Sequence, residues 1–250
     1  MALISLNYLS KCLERKVTVN MIVPIDNPKR EMIQKPFKLL VLLHGYNGDH
    51  TDWLTNTDIV NYAEEKNIMV ALPAGENKFY ADNGITGEMY GTFIGDELIC
   101  MLRNMFFLSD RREDMYIAGL SMGGYGALIN GLRFHETFGY IGALSPALFL
   151  EERNNDRGKR FFETTFAGQE VINTEKDYHY LIGKSIERGE RIPQIFLACG
   201  KQDFWSNGCG KFSTQLDKLK IEHTYIEDEG DHDWSFWNTY IKKMLDWLPL

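Results

Sequence analysis

Apolar residues along this chain recur in two rhythms. Short stretches such as 37–43 (FKLLVLL) and 115–120 (MYIAGL) are apolar almost without a break. That is the pattern of strands covered on both faces. Further strands are predicted over 17–23, which alternates and stops at Pro24, over 68–72 before Pro73, and over 141–144, 195–199 and 224–226. Between them the spacing becomes helical over 58–66, 95–108, 123–135, 209–219 and 234–248. Strands and helices that alternate in this way predict an α/β protein with a mostly parallel central sheet and helices on both faces. Residues 150–191 break the alternation: a charged run (EERNNDRGKR) leads to FFETTFAG and then to a polar helical segment. This insertion is too long for an ordinary connection, and it reads equally as a solvated elaboration or as a cap-like lid.

Composition narrows the class. The 250 residues suit one domain, 1–250, and are 44% hydrophobic, enough for a core without disulfide or metal staples. A formal charge of −8 argues against nucleic acid and anionic membranes as partners. Cys12, Cys100, Cys199 and Cys209 form no CxxC pair, so zinc-ribbon and thioredoxin readings lack their spacing. Residues 1–13 alternate apolar and polar positions without a basic stretch ahead of a long apolar run, and no N-x-Ser/Thr sequon occurs. No apolar stretch is long enough to span a bilayer. A cytoplasmic setting is expected.

The chemistry gathers around Gly119-Leu120-Ser121-Met122-Gly123, a GxSxG pentapeptide between a predicted strand and a predicted helix. That context predicts a nucleophile elbow, in which a sharp strand-to-helix turn requires small flanking residues. The alternative is a Gly-rich turn with Ser121 as a helix cap. A nucleophilic serine needs a base and a group that orients the base. His232, in the acidic loop before the last helix, is the candidate base. Asp203 follows the strand IFLACG and is the candidate acid. Asp177 is less well placed, and Asp228, Asp231 and Asp233 read as solvated loop charges. The oxyanion donors expected are the amides of Met122 and of Tyr46, where the strand ending in Leu43-His44-Gly45 turns away. His44 reads as a structural residue of that loop. Phosphate-loop, dinucleotide and zinc-helix motifs are missing, so no cofactor and no metal are expected.

Together these segments resemble the esterase D / S-formylglutathione hydrolase-like branch of the α/β-hydrolases, and within it the bacterial tributyrin esterases. The resemblance covers nearly the whole chain. It is carried by Leu42-Leu43-His44-Gly45-Tyr46-Asn47-Gly48 with Trp53, by Phe79-Tyr80-Ala81-Asp82, Tyr90-Gly91-Thr92 and Asp96-Glu97-Leu98, by the AGLSMGGYGA elbow, and by Gly142-Ala143-Leu144-Ser145. The acid stretch Cys199 to Phe204 and the histidine stretch Gly230 to Trp237 complete it. It implies an α/β-hydrolase fold and a serine carboxylesterase acting on short acyl esters through Ser121, His232 and Asp203. Gly45 and Trp205 are the substrate-binding candidates, although Trp205 reads also as packing around the triad loops with Phe204, Trp234 and Trp237. Thioester hydrolysis, acetylated or feruloylated sugars, acyl transfer and a non-catalytic binding role stay open. So does the oligomeric state, since such esterases often self-associate. Two departures stand out. Many relatives carry Met where this chain has Tyr46, and 81–88 (ADNGITGE) lacks the usual aromatic-rich form, so leaving-group preference does not carry over.

Overall fold

The structure is a computed structural model that describes residues 1–26, 35–152, 166 and 169–250. Eight strands form one sheet: β1 (Ala2–Ser10), β2 (Arg15–Val23), β3 (Leu39–Leu43), β4 (Met69–Pro73), β5 (Met115–Leu120), β6 (Tyr140–Leu144), β7 (Gln194–Gly200) and β8 (His223–Asp228). Their order across the sheet is β1-β2-β4-β3-β5-β6-β7-β8. From β4 to β8 neighbouring strands are parallel, whereas β1, β2 and β4 pair antiparallel. The direction of winding reverses around β3, and at such a point the loops beyond neighbouring strand ends splay apart and leave a crevice.

The central strands are buried at every position, as their unbroken apolar runs require. Two apolar clusters cover the two faces. Val41, Ile117 and Leu197 belong to one, and Leu40, Ala118 and Phe196 to the other. Successive side chains on one strand thus serve opposite layers.

Among the described residues the α-helices are α1 (Asp52–Asn56), α2 (Ile59–Lys66), α3 (Tyr90–Thr92), α4 (Leu98–Met105), α5 (Met122–Arg133), α6 (Phe149–Glu152), α7 (Tyr178–Arg188), α8 (Ser206–Lys218) and α9 (Trp234–Trp247). The helix expected from 95 starts earlier, at Tyr90. It runs through one π-helical turn, Phe93–Glu97, between α3 and α4.

Other differences from the expected elements have local causes. The alternation at the N-terminus is the edge strand β1, whose outward positions include the exposed Leu3 and Leu9. Pro73 is the last residue of β4 rather than its stop. Most of the charged half of the insertion, residues 153–165 and 167–168, lies outside the described residues, and so does the lid reading. The remainder includes α7, which Asp177 caps by accepting the N–H groups of His179 (2.9 Å) and Tyr180 (3.3 Å). That capping role removes Asp177 from the candidates for a catalytic acid.

Candidate active site

Ser121 sits between β5 and α5 with φ 52° and ψ −115°, a conformation that L-residues rarely adopt. Close packing imposes it. A Cβ on Gly119 would come within 2.5 Å of Gly123 backbone atoms, and one on Gly123 within 2.5 Å of the Leu43 carbonyl. The elbow therefore presses against the end of β3. Main-chain bonds hold the serine in place: its N–H donates to Leu144 O (2.9 Å), and its carbonyl accepts from Tyr125 and Ala147 (both 3.0 Å). Its hydroxyl makes no helix-capping bond, contrary to the alternative of a capping serine.

That hydroxyl lies 3.0 Å from His232 Nε2, and His232 Nδ1 lies 2.8 Å from Asp203 Oδ2. With Nδ1–H donating to the carboxylate, Nε2 presents its lone pair to the serine hydroxyl. The Asp203 side chain is fully buried, and its Oδ1 accepts the Trp205 N–H at 2.8 Å.

The Asp203 and His232 loops are bonded to each other. Lys201 N–H donates to Asp228 O (2.8 Å), Gln202 N–H to Gly230 O (3.0 Å), and Gly230 N–H to Gln202 Oε1 (2.8 Å). The approach is close enough that a Cβ on Gly200 would lie 2.2 Å from Gly230 O. Aromatic rings fix the imidazole: Phe204 lies over it at 4.4 Å, and Trp237 meets it edge-on at 4.9 Å.

Ser121 and His232 open into a cavity of about 640 Å³, whose walls include Gly45, Tyr46, Met122, Trp205 and Trp237. Met122 is the first residue of α5, so its N–H has no carbonyl in a preceding turn to meet. Both Tyr46 and Met122 thus border the space in front of the serine.

A family model described as "Putative esterase" matches residues 10–248. An acetyl esterase from Caldicellulosiruptor saccharolyticus is 37% identical over 261 residues, covering 99% of this chain and 98% of its own. The chain belongs to this esterase family. Among solved structures, an S-formylglutathione hydrolase from Staphylococcus aureus superposes with a TM-score of 0.85 at 31% identity, covering 99% of this chain and 98% of that one. A fluorophosphonate-binding serine hydrolase F from Staphylococcus aureus, with substrate bound, gives 0.86 at 31% identity and the same coverage. The fold of this esterase is accordingly the α/β-hydrolase fold, and its activity is carboxylic ester hydrolysis by a serine carboxylesterase.

His44 is a structural element of the esterase's β3 loop. It is 1% exposed; its Nδ1–H donates to Gly45 O (2.8 Å) and its Nε2 accepts the Gly75 N–H (2.9 Å). Burial holds its pKa below the usual histidine value, which keeps the ring neutral. Tyr80 O–H donates to the His44 carbonyl (3.1 Å), and the Trp53 indole to Leu43 O (3.0 Å). The backbone that carries the Tyr46 amide is thereby fixed.

The acidic residues around His232 are not merely solvated. Asp233 caps α9 by accepting the Phe236 N–H (3.0 Å), Asp228 accepts the Tyr240 hydroxyl (2.7 Å), and Asp231 accepts the His232 N–H (2.7 Å). Sequence reasoning also left Asp52 and Phe204 out of the site. Both line the cavity, and burial pushes the Asp52 carboxyl upward. Phe204 is 44% exposed whereas Trp205 is 3% exposed, so Phe204 offers more ring surface to a ligand. Phe204 was signalled only as the end of the acid stretch that begins at Cys199, and Asp52 only by its place beside Trp53.

Proposed function

We propose that Ser121, His232 and Asp203 form the catalytic triad of this esterase, acting on short acyl esters, acetyl esters first. The observation that carries this reading is the unbroken relay from Ser121 Oγ to His232 (3.0 Å) to Asp203 (2.8 Å) at the wall of a substrate-sized cavity. His232 Nε2 takes the hydroxyl proton as Ser121 Oγ attacks the ester carbonyl. The Tyr46 and Met122 amides then stabilise the oxyanion, a contribution of about 2.7–4 kcal/mol per donor in comparable sites. Asp203 holds the imidazole tautomer and stabilises the imidazolium. His232 next protonates the departing alcohol oxygen, and the acyl group remains on Ser121. A water, deprotonated by His232, attacks the acyl-enzyme and regenerates the serine.

The preference for short chains is supported by the back wall. Phe79 lines the cavity and is fully buried, packed against Tyr125, Phe149 and Phe166 at 5.9–6.3 Å. The acetyl esterase relative points the same way. A second reading, thioester hydrolysis, rests on the likeness to the S-formylglutathione hydrolase. Against it, Asp52 and Asp233 line the same cavity and repel a leaving group that carries carboxylates.

A cytoplasmic setting belongs to the same proposal, and there Cys199 and Cys209, buried side by side, would stay thiols. Among the described residues no helix is long and apolar enough to cross a membrane.

Replacing Ser121 by Ala is expected to lower kcat on p-nitrophenyl acetate by roughly 10⁶-fold with the circular-dichroism melt retained. Near-normal turnover in that variant would rule the triad out. A larger kcat/KM on S-formylglutathione than on p-nitrophenyl acetate would favour the thioester reading.

A further inference from the structure

The turn after β6 holds a serine in a costly conformation. Ser145 is fully buried and has φ 44°, in the left-handed region that residues with a side chain seldom occupy. Strain of this kind persists only where surrounding contacts impose it, and it gathers at functional sites. The Ser145 N–H donates to Ala198 O of β7 (2.7 Å), and its hydroxyl oxygen accepts the Trp237 indole N–H (3.1 Å). Its neighbours in the turn reach the nucleophile. Leu144 O accepts the Ser121 N–H (2.9 Å), and the Ala147 N–H donates to Ser121 O (3.0 Å). One short turn, 144–147, thus grips the backbone of Ser121 on one side and the indole beside His232 on the other.

That indole is the firm stop for the imidazole. Asp203 holds the ring at Nδ1 alone (2.8 Å), which leaves it able to tilt about that bond. Phe204 covers the ring but is 44% exposed, whereas Trp237 is buried and meets the ring edge-on at 4.9 Å and 89°. Trp237 is backed in turn by Trp234 at 5.2 Å. A buried indole N–H calls for an acceptor wherever it lies, but an ordinary backbone carbonyl would meet that need without strain. A strained serine on the turn that also holds Ser121 does more, because it fixes the indole relative to the nucleophile.

We propose that Ser145 is a positioning residue for proton transfer. Through Trp237 it holds the His232 ring at the tilt where Nε2 reaches both the Ser121 hydroxyl and the oxygen of the departing alcohol. The proposal rests on the Ser121 triad reading. The step it serves is collapse of the tetrahedral adduct. There the bond from the acyl carbon to the alcohol oxygen breaks, its electron pair stays on that oxygen, and the Nε2 proton moves to it. The penalty for a misplaced ring depends on the leaving group: p-nitrophenolate departs without a proton, and ethoxide does not.

The test compares ethyl acetate with p-nitrophenyl acetate on the wild type, on Ser145→Gly, on Trp237→Phe and on the double variant. Glycine takes φ 44° without strain, and phenylalanine keeps a ring while removing the N–H. Each single variant is expected to lose about thirtyfold in kcat/KM on ethyl acetate, a part of the roughly 10²–10⁴-fold that general acid–base catalysis supplies, but only about threefold on p-nitrophenyl acetate. On ethyl acetate the loss should fall on kcat and leave KM within about twofold. The double variant is expected to match the slower single one, since both changes break the same link. Equal losses on the two esters would overturn the proposal and leave Ser145 a packing residue, as would losses that multiply in the double variant. A Ser121→Ala variant that still turns over both esters would instead overturn the triad, and this proposal with it.

Discussion

At the scale of single residues, the site depends on side chains whose chemistry is set by burial. His44 is the clearest case. Its ring is neutral because water is excluded, and in that state it bridges Gly45 and Gly75. The pH dependence follows from linkage. A histidine with a depressed folded pKa binds fewer protons in the folded state than in the unfolded one. Its contribution to stability is therefore complete above the unfolded value of 6.5 and is lost as pH falls from there toward the folded value. Urea midpoints measured from pH 7.5 down to pH 5 should fall more steeply for the wild type than for His44→Gln, which can keep one donor and one acceptor without titrating. Parallel curves would mean that His44 does not govern this slope.

The catalytic candidates were legible for a different reason. Ser121 and Asp203 sit at the ends of apolar strands, and His232 in a loop before an amphipathic helix, so motif and periodicity agreed. The sequence does not encode visibly that Phe204 overlies His232 or that Asp233 caps a helix. An acidic loop looks the same whether its carboxylates accept backbone N–H groups or face water.

At the scale of elements, two carboxylates tie connections of the sheet together, one of them at the antiparallel edge. Glu97, in the π turn, accepts the Ser10 hydroxyl (2.6 Å) and the N–H groups of Lys11 (2.7 Å) and Cys12 (3.1 Å), which clamps the β1–β2 turn. Asp82 accepts from Thr92 N–H (2.9 Å), Thr92 Oγ1 (2.7 Å) and Arg133 Nη1 (2.6 Å), joining the loop before α3 to the end of α5. Burial alone would push the Asp82 carboxyl up, but Thr92 and Arg133 outweigh it and hold the group below its usual range. Arg133→Met leaves that charge with a third of its partners gone. It is expected to cost about 2–3 kcal/mol, somewhat less than the ~3–5 kcal/mol of a fully buried pair. The checking measurement is the denaturant midpoint, and a change under ~0.5 kcal/mol would show the pair to be dispensable.

Periodicity revealed the buried parallel strands because both their faces are apolar. It gave no helix for α1, where only Trp53 is buried. The strand β1 was obscured by its outward leucines, which resemble core positions in a sequence. Nor does any spacing rule announce the π turn that aims Glu97 at the hairpin.

At the scale of the whole molecule, the charge of −8 has a local expression at the reaction centre, where Asp52 and Asp233 share the cavity with His232. An ester whose alcohol carries a carboxylate should be a poorer substrate than its neutral counterpart. Comparing 3-carboxy-4-nitrophenyl acetate with p-nitrophenyl acetate, kcat/KM is expected to be roughly fivefold lower at low ionic strength, with the gap narrowing as salt screens the field. A gap that does not respond to salt would point to shape instead.

The sheet's far edge carries a consequence for how this enzyme fails. β8 is partly or fully exposed along its whole length and, among the described residues, pairs only with β7, yet the loop it leads into carries His232. Opening of that margin needs little of the core to part, so it belongs among the low-energy excursions of the native state. Each such excursion takes the imidazole out of reach of Ser121 while the central strands stay paired. Inactivation on heating is therefore expected several degrees below the loss of far-ultraviolet ellipticity, and to be reversible on cooling from that interval.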